Sequence, residues 1–258
     1  MSHSQRLLDG PKRALVTGAG LRLGRAMALD LGRQGWSVAI HCRQSRSAAM
    51  ETADLIRQQG GEAAIVQADL SDHAQTASLC DMAQTALGGA LTLLVNSAST
   101  FTDDSALDHT QADWDHHMGP NLRAPILLAQ SFAQRLPASD AGLIINMIDM
   151  RVLKPNPLFF TYTLSKAALW SATRTLAQAL APNIRVNAIG PGPTLENVHQ
   201  KPGEFAAETK ATLTQAGSNP DEIVKAMNYL IDADSVTGQM IASDGGQHLM
   251  WQTPDVML

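Results

Sequence analysis

Ala14-Leu-Val-Thr-Gly-Ala-Gly-Leu-Arg-Leu-Gly24 is the stretch on which the fold turns. An apolar run gives way to a glycine-bearing turn, and Arg25 to Gln34 then carries helical spacing, so the segment reads as strand, turn and helix. Glycines at such a turn let the backbone approach a pyrophosphate, whose charge the helix N-terminus favours. Gly18, Arg22, Leu23 and Gly24 are the candidate contacts. The spacing is not G-x-G-x-x-G, because Gly24 falls one residue late. Taken alone, the same turn is also what a plain structural connection looks like.

Outward from this segment, short β-branched or apolar runs alternate with longer stretches of helical spacing, the pattern of βαβ units. Strands are predicted at Arg13 to Thr17, Ser37 to His41, Ala63 to Gln67, Leu91 to Val95, Leu143 to Ile148, Arg185 to Ile189 and Gln239 to Ala242. Seven such strands fit one α/β domain over 1–258, a doubly wound parallel sheet with helices on both faces. Gly190 to Pro220 lacks strand character and is rich in Gly, Pro and Thr. It is the candidate lid, centred on 192–218.

The chain has 258 residues, 45% of them apolar, enough for a sizeable core. A net charge of −5 with scattered Lys and Arg excludes the basic face that a nucleic-acid backbone requires. No apolar run reaches transmembrane length, and Met1 to Lys12 is polar without a signal-peptide core, so a cytoplasmic protein with no membrane partner is expected. Cys42 and Cys80 lack metal-type spacing and are expected to be reduced. Asp113-Trp-Asp-His-His117 holds metal-capable side chains, but not as H-E-x-x-H. It reads as a solvated helix face, and no metal is expected. Pro125 to Leu128 and the Ala-rich face of Ala167 to Ala181 read as helices buried in packing or in a subunit contact.

The ends of the predicted strands carry the chemistry, since ligands of an open α/β sheet bind at the carboxyl edge. The second strand runs into His41-Cys-Arg-Gln-Ser45 and lacks the acidic residue that binds a ribose 2′-hydroxyl. Arg43 offers a planar donor fork to a 2′-phosphate and Ser45 a hydroxyl, which favours NADP over NAD. The alternative is that Arg43 and Arg46 simply open a solvated helix. Asp69-Leu70 follows the third strand and Asn96-Ser97-Ala98-Ser99 the fourth, with Asp72 placed to cap the next helix. Asp149 follows the fifth. Tyr162 and Lys166 stand one turn apart on a helix running to Leu180, where an ammonium would lower the phenol pKa and make Tyr162 a general acid. An isolated pair of this spacing also occurs on amphipathic surfaces.

Taken together, Thr17-Gly-x-x-x-x-x-Gly24, Asn96-Ser-Ala98, Asn121, Tyr162-x-x-x-Lys166, Pro191-Gly192 and Asp244-Gly-Gly246 resemble the short-chain dehydrogenase/reductases in order and spacing, from Arg13 to about Leu249. The resemblance implies a Rossmann-type sheet, NAD(P) bound partly through Pro191 and Gly192, a proton relay of Asn121, Tyr162 and Lys166, and a homotetramer. Two positions depart from the common pattern: Arg22 replaces a glycine and Asp149 the usual catalytic serine. Both departures occur in pteridine reductases and the similar dihydromonapterin reductases, which the chain resembles most closely. That resemblance implies NADPH as cofactor, with His41 and Arg43 at its 2′-phosphate region. It also implies a pterin substrate at Ser99, Phe101, Asp149 and Tyr162, with Phe101 stacking the ring. Arg22 would face the pyrophosphate and the pterin edge, and Thr194 the mouth of the lid.

Chemistry connects Asp149 with such a substrate independently. An ionised carboxylate only accepts hydrogen bonds and opposes the alkoxide that develops on a ketone, whereas a pterin edge offers N–H donors. Reduction of a C=N bond also needs a proton delivered to nitrogen. Two alternatives remain open at this stage: a reductase of a 3-oxoacyl or sugar ketone, and a catalytically weak NADPH sensor. Among pterins, the choice of dihydromonapterin, dihydrobiopterin or dihydrofolate depends on contacts within Leu195 to Gln215.

Overall fold

Runs that are apolar at successive positions, such as Leu143-Ile-Ile145, can bury every side chain only in a parallel sheet held between two helical layers. The computed structural model describes residues 2–197 and 200–252 and has this arrangement. The first elements are α1 (His3–Asp9), β1 (Arg13–Val16), α2 (Arg22–Arg33), β2 (Ser37–Cys42), α3 (Arg46–Gln58), β3 (Ala63–Gln67) and α4 (His73–Leu87). Next come β4 (Leu93–Asn96), α5 (Gln111–Met118), a π-helical turn at Gly119–Arg123, α6 (Ala124–Arg135) and β5 (Gly142–Met147). The last are α7 (Phe160–Leu180), β6 (Ile184–Pro191), α8 (Glu204–Lys210), α9 (Pro220–Asp232) and β7 (Met240–Ser243).

The seven strands are all parallel, in the order β3-β2-β1-β4-β5-β6-β7. Alternate residues of each strand enter opposite cores. Val16, Ile40, Val95 and Ile145 pack on α2, α3 and α9 through Met27, Ile56 and Met227. Leu15, Ala39, Leu94 and Ile144 pack on α4 and α6 through Leu79, Leu128 and Phe132. Strand order reverses between β1 and β4, which opens a crevice at the carboxyl edge. All seven predicted strands are present, with ends shifted by a residue or two. β6 is longer than predicted, and the expected lid contains α8. Among the described residues no helix is long and apolar enough to cross a membrane.

Within the polar N-terminal segment, His3–Asp9 forms α1, a helix the sequence reading did not anticipate. Ser2 closes a capping box with Gln5, and Leu7 is fully buried. His3 joins this helix to the far end of the sheet: its Nδ1 accepts from Arg185 Nε at 3.1 Å and its Nε2 lies 3.1 Å from the Asn183 carbonyl. The buried Arg185 guanidinium also donates to the carbonyls of Leu230, Ile231 and Val236, so it terminates α9. His41 is a second brace, at the opposite edge. Its Nδ1 accepts from Gly18 N–H at 3.1 Å and its Nε2 pairs with the Ala68 carbonyl at 3.0 Å, tying β2 to the turn after β1 and to the end of β3.

Burial holds both histidines below the ordinary imidazole pKa, and each uses a bare ring nitrogen as an acceptor. The unfolded chain therefore takes up protons that the native state resists, and stability is lost as pH falls below about 6.5. Urea unfolding at about pH 7.5 and about pH 5.5 is expected to show this loss, and a His3→Gln, His41→Gln double variant is expected to show less of it.

Candidate active site

The crevice is a cavity of about 1250 Å³. One end lies at the first βα turn. Gly18 adopts φ +66° beneath Ala98, where a Cβ would meet the Ala98 Cα at 3.0 Å, and a Cβ at Gly24 would meet the Gly18 carbonyl oxygen at 2.4 Å. Both positions therefore demand glycine. Thr17 Oγ1 accepts from the N–H groups of Ser97 and Ala98 at 2.9 and 3.0 Å, locking the β4 turn against the β1 turn. The α2 N-cap, Leu21, supplies no side-chain cap, and Arg22, Leu23 and Gly24 of the first turn line the cavity.

The other end lies where β5 gives way to Asp149. Tyr162 Oη donates to Asp149 Oδ2 at 2.9 Å, and Arg151 N–H donates to Asp149 Oδ1 at 2.8 Å. Lys166, one turn further along α7, donates from Nζ to the Met147 carbonyl at 2.9 Å. Burial raises the Asp149 pKa against the lowering effect of these donors. Burial and the adjoining Asp149 push Tyr162 well above its ordinary value. Burial lowers Lys166 to about 8. The expectation that Lys166 lowers the phenol pKa is thus corrected: desolvation and a carboxylate outweigh an ammonium 5.8 Å from the ring, and Tyr162 is kept as a proton-bearing phenol.

Most of the residues expected at the site line this one cavity: Gly18, Arg22, Leu23, Gly24, His41, Arg43, Asp69, Leu70, Ser97 to Ser99, Phe101, Asp149, Tyr162, Lys166, Pro191, Gly192 and Thr194. Three do not. Ser45 is exposed at the start of α3 and makes no capping bond. Asn96 turns inward and donates to Asn146 Oδ1 at 2.8 Å. Asn121 is fully buried in the π-helical turn, with its amide tied to Thr100, Ser99 and Ser165. It braces the loop after β4.

Other expected contacts are redirected within the cavity. Both His41 nitrogens are taken by backbone groups, so it supports the turn and has no free donor for a phosphate. Arg22, strained at φ +52°, spans the cavity and donates to the carbonyls of Glu196 and Leu195 at 2.8 and 3.2 Å. Its fork thus holds the lid segment. Asp69 accepts from the N–H and hydroxyl of Ser71, which hold its pKa below the ordinary range. Asp72 caps α4 as expected.

Phe101 stacks on Phe159 at 4.2 Å and meets the Tyr162 ring edge-on at 4.7 Å. The Arg151 guanidinium lies 4.9 Å above the Phe159 ring. Sequence reasoning missed Phe159 and Arg151. Nothing in Leu158-Phe-Phe160 marks which phenylalanine turns inward, because that is set by a left-handed backbone at Phe159, φ +55°.

A family model described as Enoyl-(Acyl carrier protein) reductase matches residues 18–248. A short-chain type dehydrogenase/reductase of Picea abies is 30% identical over 92% of this chain and 93% of its own length. The chain belongs to the short-chain dehydrogenase/reductase family. Another relative in that family is glucose 1-dehydrogenase 2 of Bacillus subtilis, 32% identical over 92% of this chain and 95% of its own. Among solved members, FolM alternative dihydrofolate reductase 1 of Brucella canis, complexed with NADP, superposes with a TM-score of 0.93 at 45% identity. That superposition covers 98% of this chain and 99% of the Brucella chain.

The chain has two tyrosines, so in a Tyr229→Phe background Tyr162 is the single one. Ultraviolet titration of that variant is expected to show ionisation well above about pH 10, and Asp149→Asn is expected to bring it down by removing the carboxylate that opposes the phenolate.

Proposed function

We propose that this chain is an NADPH-dependent reductase that transfers hydride to the C=N bond of a dihydropterin. One observation carries the reading: the hydrogen bond from Tyr162 to Asp149 occupies the place where a carbonyl reductase needs a second hydroxyl donor. A carboxylate there repels a developing alkoxide but accepts from the N–H groups along a pterin edge.

The cavity walls fit the cofactor. The crowded glycine turn brings backbone within reach of a pyrophosphate, and the first-turn N–H groups of α2 favour its charge. Arg43 stands at the cavity mouth and the end of β2 itself carries no acidic residue, which suits a 2′-phosphate. The likeness to the NADP-complexed Brucella reductase supports the same choice.

When bound, NADPH supplies the hydride. The remaining tasks fall to the protein. Tyr162, held as a phenol, donates a proton to the ring nitrogen. Asp149 is the carboxylate acceptor of the resting pair, and its raised pKa lets it take up a proton from the cavity and pass it to Tyr162 once Tyr162 has donated, so the pair avoids leaving a phenolate beside a carboxylate. Lys166 presents an ammonium on the ribose side, anchored at the Met147 carbonyl. The Phe101 and Phe159 rings offer a flat wall to a heterocycle. A second reading, reduction of a ketone, draws on the same raised Asp149 pKa, because a protonated Asp149 donates as a serine would.

Cofactor oxidation measured with 7,8-dihydrobiopterin, dihydrofolate and a 3-oxoacyl thioester separates the two. Pterin turnover that falls about 100-fold or more in Asp149→Ser is expected. Turnover of the thioester alone, kept or improved by serine, would establish the ketone reading instead. Independently, the Lys166 ammonium is present below its pKa of about 8 and lost above it, so kcat/KM for NADPH is expected to fall as pH rises through about 8.

A further inference from the structure

Asp113 to His117 reads in sequence as a solvated helix face, yet His117 is fully buried and points from α5 toward the active site. It ends a chain of hydrogen bonds that starts in the loop after β4. Asp104, 57 residues before Thr161, takes over the capping of α7: its Oδ1 accepts Thr161 N–H at 3.1 Å, and its main-chain carbonyl accepts Phe160 N–H at 3.2 Å. The α7 N-cap residue, the strained Phe159, makes no side-chain cap of its own. Thr161 Oγ1 also donates to Asp104 Oδ2.

A hydroxyl has one hydrogen. With it committed to Asp104, Thr161 Oγ1 accepts from His117 Nδ1–H at 2.7 Å. That assignment leaves His117 Nε2 bare, and it accepts Thr102 N–H at 3.2 Å. The two ends of the imidazole thus reach the residues next to the two functional rings. Thr161 precedes Tyr162 and Thr102 follows Phe101, and those rings meet edge-on at 4.7 Å. A buried polar chain costs desolvation that an apolar cluster would avoid, so its placement calls for a reason beyond stability.

We propose that Asp104, Thr161 and His117 are positioning residues that set the two sides of the substrate slot separately: Asp104 and Thr161 fix the proton donor Tyr162, and His117 fixes the ring wall at Phe101 through Thr102. The inference rests on the reading of Tyr162 and Phe101 given above. Its consequence is a split between kcat and KM that a purely structural cluster would not produce.

The test uses steady-state kinetics with NADPH and 7,8-dihydrobiopterin. Thr161→Val removes the hydroxyl at nearly constant volume and is expected to lower kcat about 10-fold or more with pterin KM changed less than about 3-fold. His117→Asn keeps a donor near the Nδ1 position and loses the Nε2 acceptor. It is expected to raise pterin KM about 10-fold with kcat held within about 3-fold. NADPH KM stays unchanged in both, and Thr161→Ser restores kcat. Asp104→Asn, which retains an acceptor for the helix cap, lowers kcat in the same direction and serves where Thr161→Val does not fold.

Tyr162 titration in the Tyr229→Phe background gives a readout independent of substrate. Thr161→Val is expected to move the ionisation down toward the ordinary phenol range, and His117→Asn to leave it in place. Equal effects of the two variants on kcat and KM, or an unmoved titration in Thr161→Val, overturn the proposal. A wild-type enzyme that turns over no pterin overturns the substrate reading, and the titration still decides the positioning of Tyr162.

Discussion

Tyr162, itself buried, donates to Asp149 at the carboxyl edge of the sheet, where the carboxylate faces the cavity, and holding that contact constrains what surrounds it. A buried polar group without a partner costs about 1–3 kcal/mol, so the Tyr162 hydroxyl cannot drift from its acceptor without penalty. The parallel pairing of β4, β5 and β6 brings the edge residues to one level, and α7 crosses there with Lys166 one turn beyond Tyr162. Asn121, Thr161 and His117 hold the intervening loop from below. The same desolvation that raises the Tyr162 and Asp149 pKa values lowers that of Lys166, so one physical cause sets the protonation of all three.

Strain collects at this edge. The non-glycine residues with positive φ are Arg22, Phe159 and Gln215 among those described. Arg22 and Phe159 line the cavity, and Gln215 lies in the expected lid. Such conformations cost about 1–3 kcal/mol each and persist where surrounding contacts over-determine them. For Arg22 those contacts are the lid carbonyls of Leu195 and Glu196, and for Phe159 they are the stacked Phe101 and the Arg151 guanidinium.

The sheet was legible in the sequence because doubly buried strands leave long apolar runs, as at Leu143-Ile-Ile145, and because glycine at 18 and 24 has no substitute where backbones nearly touch. Asp149, Tyr162 and Lys166 were legible as candidates because Asp149 follows the end of a strand and Tyr162 and Lys166 share a helix face. Residues whose role depends on distant partners were not. His41 looks like a phosphate ligand until both ring nitrogens are seen to be taken. His117 carries the pattern of a solvated face, and only the packing of α5 on α7 shows that it is buried. The helix α1 has neither length nor strong periodicity to announce it. It exists because Leu7 enters the core and His3 meets Arg185.

The central claim is that the Asp149 and Tyr162 pair receives the nitrogen-bearing edge of a heterocycle. A crystal structure of the protein with NADP and a dihydropterin tests it most directly. The account predicts the ring against the Phe101 and Phe159 wall, with its N–H edge within hydrogen-bond distance of Asp149 and a ring nitrogen at the Tyr162 hydroxyl. A pterin bound elsewhere, with Asp149 keeping only its contacts to Tyr162 and to the backbone and guanidinium of Arg151, would contradict it.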